Sequence, residues 1–172
     1  MRILHVTRDF PPVHKGGIST AVGGLVQTLH RAGVTVAVAS FDGWRPKATA
    51  PAGSALPEAE EEQGVYVLRL STPDQLIAMR RFVSNWEPDV VHVHDAMLWE
   101  SLEYTHRCPT VYTAHVVHAA QNAWRGVSEV TLGLAAERRV MQAADRIVAP
   151  SQAAARLLLE AGYDVGDRLR VI

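Results

Sequence analysis

Short, unbroken apolar runs alternate with longer amphipathic stretches along this 172-residue chain, and few folds accept that pattern. Ile3–Val6, Val34–Ala39, Val65–Leu68, Val90–Val93, Thr110–Thr113, Arg146–Ala149 and Leu169–Ile172 read as strands. Between them, Ile18, Val22, Leu25, Val26 and Leu29 recur at helical spacing up to Gly33. Further helices are expected over Asp74–Trp86, with Ser71 or Thr72 as N-cap, over Ser128–Ala143, and over Gln152–Ala161 up to Gly162. A strand that is apolar on both faces must be covered on both. Strand and helix in turn therefore predict an α/β fold: a Rossmann-like, doubly wound parallel sheet with right-handed crossovers, as a single domain over residues 1–172. Trp44–Gly64 holds three prolines and the run Glu58-Ala59-Glu60-Glu61-Glu62, so it reads as a solvated loop, or as a lid over an extended ligand.

Composition removes several function classes. With 17 basic and 18 acidic side chains the net charge is -1, so no whole-domain basic field favours nucleic acid. The single cysteine, Cys108, cannot close an intramolecular disulfide or build a multi-cysteine metal site, and a reducing, cytoplasmic setting is expected. No apolar run approaches the roughly 20 residues of a membrane span. Arg8 and Asp9 follow the first apolar residues too closely for a secretory signal, which leaves only peripheral membrane contact open.

Open parallel sheets bind ligands beyond the C-terminal ends of their strands. Four segments fall there: Arg8–Thr20, His94–Trp99, Ala114–Gln121 and Pro150-Ser151-Gln152. In the first, Gly16 and Gly17 enter a helix directly after the first strand. Without side chains they let a ligand approach the backbone N–H groups, and a helix N-terminus suits a phosphate, with Lys15 as an added point charge. Neither a Gly-x-Gly-x-x-Gly fingerprint nor a P-loop is present, and a plain Gly-Gly turn with a helix cap would also produce this sequence. In the second, His92 and His94 share one strand face and Asp95 lies just beyond. That set admits a sugar or nucleotide site, a metal site, or a buried histidine with Asp95 as a helix cap. In the third, His115 stands just past a strand end, with His118 three residues on. His94, His118 and Ser151 complete the polar candidates at these strand ends.

In this order the pieces resemble the N-terminal half of the retaining, GT-B glycosyltransferases of family 4, the glycogen and starch synthase-like group. The matching stretches are Met1-Arg2-Ile3-Leu4, Pro11-Pro12-Val13, Gly16-Gly17-Ile18, Arg31–Val36, Pro88–Asp95, Tyr112-Thr113-Ala114-His115, Glu137, Ala144–Ser151 and Val171-Ile172. The resemblance implies an acceptor-side domain whose donor-binding C-terminal domain is not in this chain. It implies transfer of a hexose from a nucleoside diphosphate sugar to a hydroxyl acceptor, with retention and without a metal. It places Gly16, Gly17 and Lys15 at the donor diphosphate, His115 near the transferred sugar with no nucleophile needed from this half, and Asp95 on the acceptor side, with His94, His118 and Ser151 as further acceptor-side candidates. In the synthases a lysine sits two places before the first glycine; here His14 holds that place and Lys15 is shifted by one. Ala96 stands where the family has tryptophan. Glu129 and Glu137 have the spacing of the family's glutamate pair, but that pair belongs to the other domain, and two helical turns on one solvated face account for them. The isolated chain is expected to be inactive. Alternatives are a standalone nucleotide- or sugar-binding module, and a metal-dependent hydrolase built on the histidines.

Overall fold

The computed structural model describes residues 1–13, 16–42, 49, 51–52, 54–99 and 108–172. The chain divides into two compact units, Met1–Val91 and His92–Ile172.

The first unit runs β1 (Arg2–Thr7), α1 (Gly17–Arg31), β2 (Thr35–Ser40), β3 (Glu60–Glu62), β4 (Val65–Arg69), a 3-10 turn at Pro73–Gln75 and α2 (Leu76–Trp86). Its strands lie in the order β3-β4-β2-β1. β1 pairs with β2, and β2 with β4, in parallel; β3 pairs antiparallel with β4. Phe10, Val22, Val26, Val36, Val38, Val65 and Val67 form a buried cluster between α1 and the sheet. α2 buries Ala78, Met79 and Val83. Its entry is fixed by Gln75, whose side-chain oxygen accepts from the Ser71 N–H at 2.7 Å and the Thr72 N–H at 3.3 Å.

The acidic run expected to be loop contains β3. Gln63 and Gly64 both have positive φ, 53° and 81°, so a two-residue turn of the primed kind folds Glu60–Glu62 back onto β4. Gly64 is required twice over, since a Cβ there would lie 2.6 Å from His30 Nε2. Composition reads this run as solvated because it cannot show a pairing closed by one turn.

The second unit continues β5 (Val90–Val93), whose first residues precede the division, into β6 (Thr110–Thr113), α3 (His118–Trp124), α4 (Leu132–Ala143), β7 (Arg146–Ala149), α5 (Gln152–Glu160) and β8 (Leu169–Val171). The strand order is β5-β6-β7-β8, with β6–β7 and β7–β8 parallel. Tyr112, Ile147, Leu158, Val140 and Met141 are buried. Arg168 closes the C-terminus of α4, donating to the carbonyls of Met141 and Ala144, each at 2.8 Å. The helix expected from Ser128 starts instead at Leu132, where the Thr131 hydroxyl accepts the Leu134 N–H at 3.2 Å. α3 has no counterpart in the periodicity. It is a seven-residue helix, too short for an apolar stripe to register. Among the described residues no helix is long and apolar enough to cross a membrane.

Candidate functional site

In the first unit the site is built at the C-terminal ends of β1, β2 and β4. Phe10 is buried against α1, and its N–H donates to Asp42 Oδ1 at 3.2 Å. The next residue, Pro11, packs so close to α1 that a Cβ on Gly23 would lie 3.0 Å from its Cγ. Arg69, the last residue of β4, gathers these pieces. It donates to the Pro11 carbonyl at 2.9 Å, to Glu62 Oε1 and Oε2 at 3.0 and 2.9 Å, and to Asp42 Oδ2. Burial disfavours its charge, but the carboxylates of Glu62 and Asp42 outweigh that and raise its pKa.

The chain reaches α1 pinned in this way. Gly16 is the N-cap, extended at φ −116°, with no side-chain cap and no acidic residue in the first turn. Among the described residues, a Cβ on Gly16 or Gly17 would meet nothing within 4 Å. Both glycines are exposed at the first turn of a 15-residue helix, whose N-terminal partial positive charge no carboxylate in that turn opposes. His14 and Lys15 lie outside the described residues.

In the second unit the ends of β5 and β6 bring three histidines together. His92 Nε2 and Thr113 Oγ1 are 2.7 Å apart, and His94 Nδ1 and His115 Nε2 are 3.2 Å apart. The ring centroids of His92 and His94 are 4.0 Å apart. Burial, with His115 nearby, pushes the His92 pKa down to about 4. Burial also lowers His115, partly offset by Asp95. At neutral pH His92 and His115 are therefore uncharged, each ring offering one donor and one acceptor. Asp95 caps the following turn, its Oδ1 accepting the Met97 N–H at 2.8 Å.

His118 and Ser151 are placed differently. His118 opens α3 with its ring against α4, where a Cβ on Gly133 would lie 2.6 Å from Nδ1. The Ser151 hydroxyl caps α5, accepting the Ala154 N–H at 3.1 Å. Glu137 overturns the expectation of a solvated glutamate face: it is 0% exposed, and Glu129 lies outside any helix. Its carboxylate accepts the His118 N–H at 2.6 Å, the Ala119 N–H at 2.9 Å and the Tyr163 hydroxyl at 2.6 Å. A buried carboxylate is tolerable here because three donors and the start of α3 surround it. Glu137 thereby holds the segment that leads away from His115.

Sequence reasoning passed over Arg69, Asp42 and Thr113. The available signal was position: each is a polar residue at, or just after, the C-terminal end of an otherwise apolar strand.

The described residues place an exposed helix N-terminus and a histidine cluster at strand ends of an α/β fold. Solved structures with this fold include GT-B glycosyltransferases, and the chain takes the Rossmann-like form of one of their halves. Thermosynechococcus elongatus sucrose-phosphate synthase matches with a TM-score of 0.72 and 12% identity, over 100% of this chain and 48% of that one. The catalytic domain of Arabidopsis thaliana starch synthase IV, solved with ADP and acarbose, matches at 0.60 and 13%, over 99% and 50%. Anabaena HepE, solved with UDP-glucose, matches at 0.60 and 17%, over 100% and 43%. The chain belongs to Glycosyltransferase Family 4, whose model matches residues 15–172. No curated protein sequence matches it. The chain spans half or less of the length of these solved structures.

Proposed function

We propose that this chain is the acceptor-side half of a retaining glycosyltransferase that moves a hexose from a nucleoside diphosphate sugar to a hydroxyl acceptor. One observation carries the proposal: the exposed N-terminus of α1 at Gly16 and Gly17, without a side-chain cap. Loss of the diphosphate leaves negative charge on its oxygens. Backbone N–H groups fixed at a helix start stabilise that charge without reorganising, so the reading asks for no metal and no nucleophile from this half. The hydrogen-bonded His94–His115 pair suits sugar hydroxyls, with Asp95 toward the acceptor. The solved neighbours that carry UDP-glucose or ADP support a nucleotide-linked donor. A cytoplasmic setting accords with such a donor. A partner domain must supply the rest of the donor site, so the chain alone should not turn over.

The test titrates inorganic pyrophosphate into the 15N-labelled chain. Amide shifts should concentrate at Gly16, Gly17 and Ile18, and Gly17→Asp, which sets a carboxylate at the helix start, should abolish them. Amides there that stay still while others move would overturn the proposal. Release of UDP from UDP-glucose by the chain alone would overturn the expected inactivity.

A further inference from the structure

The first unit contains a second concave surface, remote from Gly16. It is a cleft of about 380 Å³ between β4, α2 and residues 56–59. Tyr66 forms part of its floor and remains 42% exposed although it sits in a strand. Phe82 and Trp86, one turn apart on α2, stack at 5.8 Å between centroids with 17° between planes, and both line the cleft. Arg81 and Asn85 on α2 and Glu58 on the opposite wall supply the polar groups. The cleft lies toward the strands' N-terminal ends: the carbonyl of Trp86 accepts from Arg2 Nη1, at the start of β1, at 2.9 Å. The glycine loop lies at the other end of the same strands.

We infer that this cleft binds a carbohydrate chain, as a docking site separate from the reaction centre. Its size falls within the roughly 300–1,000 Å³ usual for small-molecule sites. Three aromatic rings offer flat apolar faces, which match the C–H faces of a pyranose. An amide, a guanidinium and a carboxylate on the rim offer donors and acceptors together, as paired hydroxyls require. One cation, Arg81, and one anion, Glu58, line the cleft, so it carries no excess charge to select a phosphate, and its charged groups are ill suited to an apolar partner. The inference rests on the transferase reading above and takes its hydroxyl acceptor to be a carbohydrate. A polymeric acceptor held here would raise its own effective concentration at the distant centre.

The test follows tryptophan fluorescence of the chain during titration with maltoheptaose, with cellohexaose and laminarihexaose in parallel. At least one should give a saturable change. Tyr66→Ala should weaken that binding about tenfold, the loss of one stacked ring, and Asn85→Ala should weaken it less. Tyr66 and Asn85 are exposed, and unchanged far-UV circular dichroism of both variants would show that they fold. The pyrophosphate shifts at Gly16–Ile18 should persist in both. Three failed titrations, or binding indifferent to Tyr66→Ala, would overturn the inference. Shifts of cleft amides with UMP but not with oligosaccharide would reassign the cleft to a nucleotide and overturn it too. Oligosaccharide binding without pyrophosphate shifts would sink the donor reading and leave the cleft standing; the reverse would sink the cleft alone.

Discussion

Replacing Arg69 by methionine tests whether the approach to α1 is held by one side chain. The substitution keeps most of the aliphatic stem and removes the donors to the Pro11 carbonyl, Glu62 and Asp42. Asp42, with its side chain only 7% exposed, would keep the Phe10 N–H but lose its counter-charge. Removing one partner of a fully buried ion pair costs about 3–5 kcal/mol. Arg69 is 27% exposed, so water screens part of that attraction, and we expect about 2–3 kcal/mol. For a chain of this length that lowers Tm by roughly 5–10 °C. Urea denaturation followed by circular dichroism reads the free energy. Asp42→Asn added to Arg69→Met should cost about 1–2 kcal/mol less than the two singly combined, because neither charge is then stranded. The same variant should weaken the pyrophosphate shifts at Gly16 and Gly17, since Pro11 lies five residues upstream. A change under about 0.5 kcal/mol, typical of an exposed ion pair, would refute the latch.

Acidification should destabilise the chain. His92 stays neutral in the folded protein down to about pH 4, but protonates near 6.5 once unfolded. Its contribution is therefore complete above pH 6.5 and is lost as pH falls toward 4, amounting to about 2 kcal/mol between pH 7 and 5. His115, also lowered, acts in the same direction. Urea midpoints at pH 7, 6 and 5 should show the slope, and His92→Asn should flatten it; equal slopes would exclude His92 as the source. Glu137→Ala strands two N–H groups and a phenol, and should cost about 3–5 kcal/mol, whereas Tyr163→Phe should cost about 1 kcal/mol. Hydrogen exchange at His118 and Ala119 should accelerate far more in the first variant. Gly64→Ala should lose about 1–3 kcal/mol, from positive φ and the His30 contact, measured by thermal melting.

The strand–helix frame was legible wherever a local signal existed. Thr110–Thr113 and Arg146–Ala149 are bounded as their apolar runs are. β3 and α3 were not legible, because long-range pairing makes them: Glu60–Glu62 are held by β4 and Arg69, and the start of α3 by Glu137 on α4. In the candidate site, Gly16, Gly17, His94 and His115 stood out, since residue type and strand-end position coincide. Glu137 was misread as solvated because spacing reveals which residues share a helix face, and not what that face meets. Arg69 went unnoticed for the complementary reason: its three partners come from separate segments.

The acidic rim at β3 bears on how this molecule behaves among its copies. β3 is the outermost strand of its unit, and each of its three residues is a glutamate. An uncovered strand border is a template on which another chain can grow a sheet. Here any like border would arrive with its carboxylates facing these, so their mutual repulsion keeps the ribbon closed to recruitment. Glutamine in place of Glu60 and Glu61 would leave the pleat intact, remove that repulsion and open the way to fibrous stacking.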